Sequence, residues 1–506
     1  MGRTIVNRIT GAERVNTPFF IITILLLAFA MGFLVIKMGL LVGGAIIAMP
    51  IVLYGVNAIF KDAGLAIFAA LIVSFMVAGL ALYVKGPFGL GIDITLVFAW
   101  LSIFFKHFRH IDWSPLDNNF TRLGIVWFGL LVLEIINPDS NGPVAWFYAV
   151  RAIGLYPFLG MTAVMMLLRH PKYLDKFLNI VFIFSLLGTA WGFRQMIGGT
   201  NAAEDHWLYA EEHADQHILF GKLRVFSFYS DAGQFGSSQA YVAAVCFISA
   251  LAPTLKMKKK MLLVIIGVIT FMGFGISGTR GALAVPAVAG FMFLIFSKQV
   301  KILILGVAMA GGAFYVLKYT KAFQSIEQVA RMRSGLSGEN ASLEVRLNNQ
   351  RYFYKLLKTR PIGAGIGTAG YWADKYNPHG KWAVPTDSYY VRIWAETGIV
   401  GICLHFIFFG YIFGRGGFIL WHLKNQELRY KMIALYGGFA GVLATSYGNA
   451  VYSQLPSAMV MIISLPMIFL APLYDKILAQ DEIKEKVKRK EELTYEEQVL
   501  LAEKLK

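Results

Sequence analysis

Two short polar segments contain the arginines that could bind an anionic ligand in this otherwise apolar chain. Residues 224–235 join Arg224 to a Ser-Asp-Ala-Gly-Gln run in front of a predicted helix, whose free N–H groups would attract an anion. Residues 277–281, Ser-Gly-Thr-Arg-Gly, form a hairpin between two apolar stretches. Arg280 in this hairpin is costly near lipid unless it is paired, so it indicates a functional site. The alternative for both arginines is a structural contact with lipid head groups.

A third segment, residues 344–360, has apolar side chains at helical spacing and ends before Pro361. Arg346 and Gln350 are four residues apart, so a helix places them on one face. The next residues, Pro-Ile-Gly-Ala-Gly-Ile-Gly, precede no strand–helix unit of the Rossmann type, which excludes dinucleotide binding. The segment therefore predicts a polar helix face beside a glycine-rich loop.

The fourth segment, residues 387–398, leads into another apolar run. Asp387 precedes this run and is a candidate general base or acceptor-orienting group. Its alternative role is to cap the helix that follows. Tyr390 and Glu396 continue the segment, and His379 lies eight residues before Asp387 as a second candidate base.

The composition identifies the class of protein that carries these segments. Of 506 residues, 57% are hydrophobic and 15% are charged, whereas soluble proteins have about 25% charged residues. These values exclude a disordered chain, a nucleic-acid-binding domain and an ordinary cytosolic enzyme. Two cysteines, Cys246 and Cys403, are too few for a disulfide framework or a cysteine-based metal site, and both lie in apolar runs that predict burial. The chain is predicted to be a polytopic membrane protein.

Fourteen apolar stretches approach the length of about 20 residues that a helix needs to cross a bilayer. They are residues 18–36, 39–60, 64–84, 88–105, 122–138, 144–168, 177–195, 235–255, 261–279, 281–297, 302–318, 390–414, 430–450 and 455–474. The sequence therefore predicts an all-α protein with about 12 to 14 transmembrane helices. Lysine and arginine are concentrated in the even-numbered loops, which predicts that both termini are cytoplasmic. Loops 196–234 and 319–389 then lie on the other side, and a charged helical tail, residues 475–506, follows a membrane domain of residues 1–474.

The order of the four polar segments resembles that of the O-antigen ligase and polymerase superfamily, which contains WaaL-like ligases and Wzy-like polymerases. The similar features are Arg224 before a span, the hairpin with Arg280, Arg346 followed by Pro-Ile-Gly-Ala-Gly, and Tyr390 with Glu396 and Gly398. They extend over roughly residues 220–415. The last segment departs from the family pattern, because Asp387-Ser388 stands where the family has His-Asn and Val391 stands where it has Leu.

The resemblance implies a GT-C-like membrane glycosyltransferase of the bacterial inner membrane, with its active site facing the periplasm. Its donor would be a glycan on undecaprenyl diphosphate. Its acceptor would be a hydroxyl of lipid A–core, of a second lipid-linked glycan or of a protein, as in the biosynthesis of lipopolysaccharide and other polysaccharides. Membrane lipids are further partners, and nucleic acid is not. No cofactor and no metal are expected, since fixed guanidinium groups would take the place of a divalent cation.

The roles implied by the resemblance follow from the chemistry of a diphosphate leaving group. Arg224 and Arg280 are expected to bind the diphosphate, because a planar guanidinium matches phosphate oxygens and stays protonated. Asp387 would orient or deprotonate the acceptor hydroxyl, and attack would invert the anomeric carbon. The expected substrate-binding residues are Arg346, which assists the other arginines, and Gln350, Tyr390, Glu396 and His379.

A transporter or flippase for polysaccharide or lipid-linked sugars is the alternative, because such a protein also needs many spans and charges within the membrane. It would place those charges along a central path. Here the helices before residue 220 contain few charges, with Glu134, Arg151 and Arg194 as exceptions. The concentration of polar residues at one predicted face favours a reaction at the membrane surface.

Overall fold

The computed structural model describes residues 40–83, 88–106, 111–211, 213–219, 221–298, 341–384 and 386–489, with isolated positions at 86 and between 304 and 320. This part of the chain is almost entirely helical, apart from one two-stranded antiparallel ribbon. The prediction of an all-α polytopic membrane protein is confirmed.

The helices follow one another with short connections between most of them. In chain order they are α1 (Leu40–Lys61), α2 (Leu65–Ala81), α3 (Leu90–Lys106), α4 (Asn119–Leu133), α5 (Pro143–Leu167), α6 (Lys172–Gly198), α7 (Ala202–Asp205), α8 (Ala214–His217), α9 (Ala232–Ala250), α10 (Met257–Ile276), α11 (Ala284–Phe296), α12 (Ala341–Leu357), α13 (Tyr371–Tyr376), α14 (Tyr389–His422), α15 (Gln426–Thr445) and α16 (Ser457–Lys488). Strands β1 (Ile218–Leu219) and β2 (Lys222–Leu223) pair between α8 and α9. Helix α5 includes a π-helical turn at Arg151–Leu155.

The chain divides into two compact units after Leu65. The first unit contains α1 and the turn that follows it, where the Asp62 carboxylate accepts a hydrogen bond from the Gly64 N–H group (3.1 Å). The second unit, residues 66–506, contains all four polar segments identified in the sequence. The candidate site therefore lies within a single unit.

Six of the described helices are long and apolar enough to cross a membrane. They are Asn119–Ile136, Pro143–Leu167, Lys172–Gly198, Met257–Ile276, Tyr389–His422 and Ser457–Lys488. Shorter apolar helices occupy Leu65–Ala81, Leu90–Phe105 and Arg280–Phe296. Helices α1, α9 and α15 coincide closely with three more of the predicted spans. Predicted spans 18–36 and 302–318 lie outside the described residues, apart from isolated positions in the second.

Helices α14 and α16 extend furthest beyond the spans that the sequence predicts. Helix α14 has 34 residues and is kinked at Gly398, whose φ of 65° is not helical. Helix α16 has 32 residues and runs on to Lys488, so the predicted tail begins as a direct continuation of the last span. The remainder of that tail, from residue 490, lies outside the described residues.

Loops of the second unit form two separate groups of contacts. One group, here called the site face, joins loops 137–142, 199–231, 277–281, 358–388 and 446–456. The opposite face joins residues near 112, 170, 298, 424 and 475. These loops alternate between the two faces along the chain, as expected for helices that each cross a membrane.

The burial of the cysteines differs in part from the prediction. Cys246 on α9 is buried, whereas Cys403 on α14 is exposed. An apolar run predicts burial, but it does not say whether protein or lipid covers a given side chain. The exposed surface of α14 around Cys403 also carries Ile399 and Phe406, which indicates a lipid-facing side.

Candidate active site

A compact hairpin positions Arg224 at the site face. Its base is the buried carboxylate of Glu204, which accepts hydrogen bonds from Arg194 (2.6 Å), Gln195 (2.9 Å) and Trp191 (3.0 Å). Burial alone would raise the pKa of Glu204, but these hydrogen bonds outweigh it and the pKa is lowered. The anchored carboxylate fixes the start of the loop that leads to Arg224.

The short ribbon of β1 and β2 then turns the chain back, with Ile218 opposite Leu223. The backbone N–H group of Arg224 donates to the His217 carbonyl (2.8 Å) just beyond this ribbon. His217 is buried against aromatic rings, and this burial lowers the pKa of its imidazole. The backbone of Arg224 is therefore held by local structure rather than by a long flexible loop.

The structure brings Arg224 to the hairpin that carries Arg280. The Arg224 Nη2 atom donates to the Thr279 hydroxyl (3.3 Å), and this hydroxyl donates to the Ala232 carbonyl (2.9 Å) at the start of α9. Arg280 is the next residue, begins a 3₁₀ turn and is exposed. Two segments that are more than fifty residues apart in sequence thus meet at one point.

Asp231 occupies the N-terminus of α9, where the sequence had predicted free N–H groups for an anion. Its carboxylate caps the helix by accepting from the Gln234 N–H group (2.9 Å). It also accepts from the side-chain amides of Asn449 (2.7 Å) and Gln454 (2.9 Å). A carboxylate of the chain itself therefore already caps this helix end, and the binding of a further anion there stays a prediction.

Residues 445–454, here called the bridging loop, were not identified as functional in the sequence. Arg346 donates through Nη2 to the Gly448 carbonyl (2.9 Å), and Gln350 donates to the Tyr447 hydroxyl (3.1 Å). Both contacts come from one face of α12, as the four-residue spacing predicted. The Thr445 hydroxyl donates to the Gly281 carbonyl (3.2 Å). The bridging loop thus connects α12 to the hairpin that carries Arg280.

A sequence signal for the bridging loop exists in retrospect. Asn449 and Gln454 interrupt two apolar runs, and amide side chains in such a place commonly satisfy other polar groups. The predicted span 430–450 included Asn449, whereas α15 ends at Thr445. Because the predicted span ends about one turn later than α15, the first residues of the bridging loop were assigned to a helix.

Asp387 lies beside the same loop, at the start of α14. The backbone N–H group of Tyr389 donates to the Ser446 carbonyl (2.9 Å), and the Tyr390 hydroxyl donates to the Leu443 carbonyl (2.9 Å). The helix cap is Ser388, without a side-chain capping bond, so the alternative role of Asp387 as the cap is wrong. The Asp387 side chain is exposed.

Glu396 is fully buried beneath the glycine-rich loop, residues 361–370. Its carboxylate accepts from the Gly367 N–H group (3.2 Å) and from Arg392 Nε (3.2 Å). Its own carbonyl accepts from the Gly365 N–H group (2.9 Å). This geometry makes Glu396 a support for the loop, and its predicted contact with substrate stays a prediction.

The glycines of this loop allow an approach that no other residue type permits. A Cβ atom at Gly363 would lie 2.4 Å from the Gly398 nitrogen, and one at Gly398 would lie 2.2 Å from the Pro361 oxygen. Both glycines have positive φ angles, 80° and 65°. The loop therefore packs directly on the kink of α14 and explains why that kink is there.

His379 follows α13 and is exposed. No hydrogen bond or ion pair joins it to Arg224, Arg346 or the bridging loop within the described ranges, so its role as a second base stays a prediction. Among the described residues, no group of three His, Cys, Asp or Glu side chains is placed to hold a metal ion.

Helices that cross a membrane and an arginine-rich cluster at one face together define a polytopic membrane protein with a polar site at its surface. The family model described as O-antigen ligase (Wzy_C) matches residues 262–406. The chain is also similar to an O-antigen polymerase of Salmonella muenchen, with 23% identity over 363 residues, which is 68% of this chain and 87% of the relative. These two similarities confirm the resemblance to the O-antigen ligase and polymerase superfamily seen in the sequence.

The residues that the family model matches show which parts of the site can be detected by sequence comparison. Residues 262–406 include Arg280, Arg346 and the segment from Asp387 to Glu396. Arg224 and the bridging loop lie outside it. These comparisons support an activity of the O-antigen ligase or polymerase type.

Proposed function

We propose that this protein transfers a glycan from an undecaprenyl-diphosphate-linked donor to an acceptor hydroxyl at the periplasmic face of the bacterial inner membrane. The observation that carries this proposal is the meeting of Arg224 with the Arg280 hairpin through the Thr279 hydroxyl. Arg346 reaches the same group of segments through the bridging loop. Three guanidinium groups on converging segments suit a ligand with several phosphate oxygens.

The arginines act on the leaving group. As the acceptor oxygen bonds to the anomeric carbon, the bond from that carbon to the phosphate oxygen breaks and the diphosphate gains negative charge. Arg224 and Arg280 stabilise this charge, and Arg346 assists them. Because guanidinium groups carry permanent charge, they can serve where other transferases use a divalent cation, and we propose a reaction that needs no metal.

Asp387 acts on the acceptor. Its exposed carboxylate at the start of α14 accepts the proton of the acceptor hydroxyl as the new bond forms. Attack from the side opposite to the leaving diphosphate inverts the anomeric carbon. Gln350 and Tyr390, which bond to the Tyr447 hydroxyl and the Leu443 carbonyl, are proposed to contact the substrate. His379 is the base to test if Asp387 is not.

The proposed position of the site at the periplasmic face also determines the domain boundaries and the location of the termini. Residues 1–474 form the transferase domain, and residues 475–506 form a charged cytoplasmic tail. Both termini are cytoplasmic, so the site face is periplasmic, in agreement with the distribution of lysine and arginine. The charged pair of Asp93 and Arg151 within the helices is mutually neutralised, which supports surface chemistry over a charged transport path.

Deletion of the gene, followed by gel analysis of the surface glycan, tests the proposal. Loss of polymer with one repeat unit still attached would identify a polymerase. Full-length polymer that remains on the lipid carrier would identify a ligase. An unchanged surface glycan in the deletion strain, or flipping of lipid-linked sugar by the purified protein in liposomes, would contradict the transferase and favour the transporter.

A further inference from the structure

Three aromatic rings pack together at the edge of the site face, where Tyr148 is exposed and Trp372 and Tyr376 are half-buried. The rings of Tyr148, Trp372 and Tyr376 are within 20° of parallel, at interplanar angles of 19°, 20° and 18°. Their centroids form a triangle with sides of 5.3, 6.1 and 6.5 Å. A column of three offset-stacked rings would separate the outer two by about 9 Å or more. The rings therefore form a compact cluster of offset, nearly parallel rings and not a single column, and we call them the aromatic patch.

Contacts of the glycine-rich loop fix the position of the aromatic patch along the axis of helix α5. A Cβ atom at Gly367 would lie 2.9 Å from the Ala145 carbonyl oxygen and 3.3 Å from the Ala149 Cβ atom, so the loop lies against the first turns of α5. Helix α5 begins at Pro143, and Tyr148 lies about 8 Å further along its axis at 1.5 Å per residue. The patch is thus level with the end of a membrane-crossing helix, where lipid head groups are found.

The patch continues a surface that already faces lipid. Phe147 is 44% exposed, and its ring centroid lies 5.8 Å from that of Tyr148. Val144, one turn earlier, is 57% exposed. Ile136, at the end of the neighbouring span, is 79% exposed. Apolar side chains this open on spanning helices are covered by lipid, and the aromatic patch extends this surface towards water.

A cation completes the pattern. The Lys375 ammonium lies 5.6 Å from the centre of the Trp372 ring and 5.8 Å from that of Tyr376. Tryptophan and tyrosine at head-group level, with a lysine that can reach lipid phosphate, are the usual anchors of a membrane protein to its interface.

We propose that α13 is a membrane-interface anchor, in which the aromatic patch contacts bilayer lipid and Lys375 contacts lipid phosphate. This anchor directly follows the glycine-rich loop, which is hydrogen-bonded to Glu396 and to the residues around the kink of α14. It therefore fixes the height of the start of α14, and of Asp387, above the bilayer. The inference rests on the membrane class of the protein and does not depend on the proposed reaction.

Fluorescence quenching by brominated lipids tests the anchor. The full-length protein is placed in nanodiscs of phosphatidylcholine and phosphatidylglycerol, brominated either near the head group or near the end of the acyl chain. The difference between wild type and Trp372→Phe isolates the emission of Trp372 among ten tryptophans. We expect head-group bromine to quench this emission strongly and chain-end bromine to leave most of it.

Trp382→Phe is the matched control. Trp382 lies in the same loop but is 6% exposed and packs on Phe353, so its emission should resist both brominated lipids. Tyr376→Trp is a second variant, which should add emission that is quenched by head-group bromine.

Two results would overturn the anchor. One is Trp372 emission that neither brominated lipid quenches but that acrylamide in the water phase does quench. The other is protection of Trp372 from acrylamide by soluble repeat-unit oligosaccharide, which would make the patch a glycan-binding surface instead.

Discussion

Two regions of the site face differ in the partners described for their arginines. Around the glycine-rich loop, guanidinium groups pair with carboxylates: Arg360 with Asp139 at 2.8 Å and Arg392 with Glu396 at 3.2 Å. We call these residues the support region. In the second region, which contains the proposed catalytic residues and which we call the catalytic cluster, the contacts described for two arginines are with neutral groups. Its members are Arg224, Arg280, Arg346, Asp387 and the bridging loop, with Arg224 donating to a hydroxyl and Arg346 to a carbonyl.

We propose that this difference separates a structural role from ligand binding. A carboxylate partner cancels the charge of a guanidinium and fixes its position, which suits a structural role. A hydroxyl or carbonyl partner orients the guanidinium but leaves its charge available to an anion. Asp231 is the corresponding case for a negative charge, because neutral side-chain amides of the bridging loop bind its carboxylate. Variants in the catalytic cluster should therefore change activity, and variants in the support region should change stability.

Asp387→Asn should give the largest effect on activity. If Asp387 takes the acceptor proton, turnover should fall by about 10²–10⁴-fold, the usual contribution of a positioned acid or base. Donor binding should be preserved, because the arginines are untouched. Transfer of glycan from purified lipid-linked donor measures the turnover.

Asp387→His sharpens this result, since it restores the residue type of the family pattern. An active His variant beside an inactive Asn variant would support a proton-handling role. A fully active Asn variant would exclude Asp387 as the base and make His379 the next residue to replace.

Arg280→Lys should lower transfer by about 10²–10³-fold, as for loss of one electrostatic contact to a developing charge. Lysine keeps the charge but lacks the planar fork that binds two phosphate oxygens. Arg360→Lys in the support region is the matched control and should retain activity, because lysine can still pair with Asp139. Equal activity of Arg280→Lys and wild type would remove Arg280 from the diphosphate site.

Gly398→Ala should destabilise the support region. Alanine at a φ of 65° costs about 1–3 kcal/mol, and its Cβ atom would also clash with the Pro361 oxygen. Gly410→Ala, on the same helix with open space around it, is the control and should be neutral. Thermal unfolding in detergent measures both variants. An unchanged melting temperature for Gly398→Ala would show that the loop does not pack on the kink.

Glu204 should make the Arg224 hairpin sensitive to acid. Because the pKa of Glu204 is lowered in the folded protein, its contribution to stability is present above its ordinary value of 4.5 and is lost as the pH falls through the folded value. Glu204→Gln should therefore be less stable than wild type near neutral pH, and the two should converge in acid. Protease sensitivity of the hairpin across this range is the measurement, and a constant difference would contradict the assignment.

Removal of divalent cations should have the smallest effect. Transfer by the purified protein should survive millimolar EDTA, since the arginines of the catalytic cluster would supply the positive charge. Activity that disappears in EDTA and returns with magnesium or manganese would refute the metal-free reaction.

The membrane class and most of the helices could be predicted from the sequence. A run of about 20 apolar residues must cover its backbone in lipid by forming a helix, so length and hydropathy suffice to locate spans. Ends were less certain, as α14 and α16 show by running on to His422 and Lys488. Hydropathy reports where lipid ends and not where the helix ends.

The motif residues could also be found without a structure, because Arg224, Arg280, Arg346 and Asp387 are polar groups in an apolar chain. Their partners could not be found in this way. The Gly448 carbonyl is a backbone atom with no sequence signature, and Asn449 lies more than two hundred residues from the Asp231 that it binds.

Residue types therefore decide that this chain lies in a membrane and carries guanidinium groups suited to an anion. Only the tertiary structure decides which of its charges are cancelled. Glu396 and Asp387 are carboxylates nine residues apart on one segment, yet packing buries the first against Arg392 and leaves the second exposed. Whether a charge supports the fold or meets a ligand depends on which distant segments fold against it, because electrostatic pairing acts over a few ångströms in space and not along the chain.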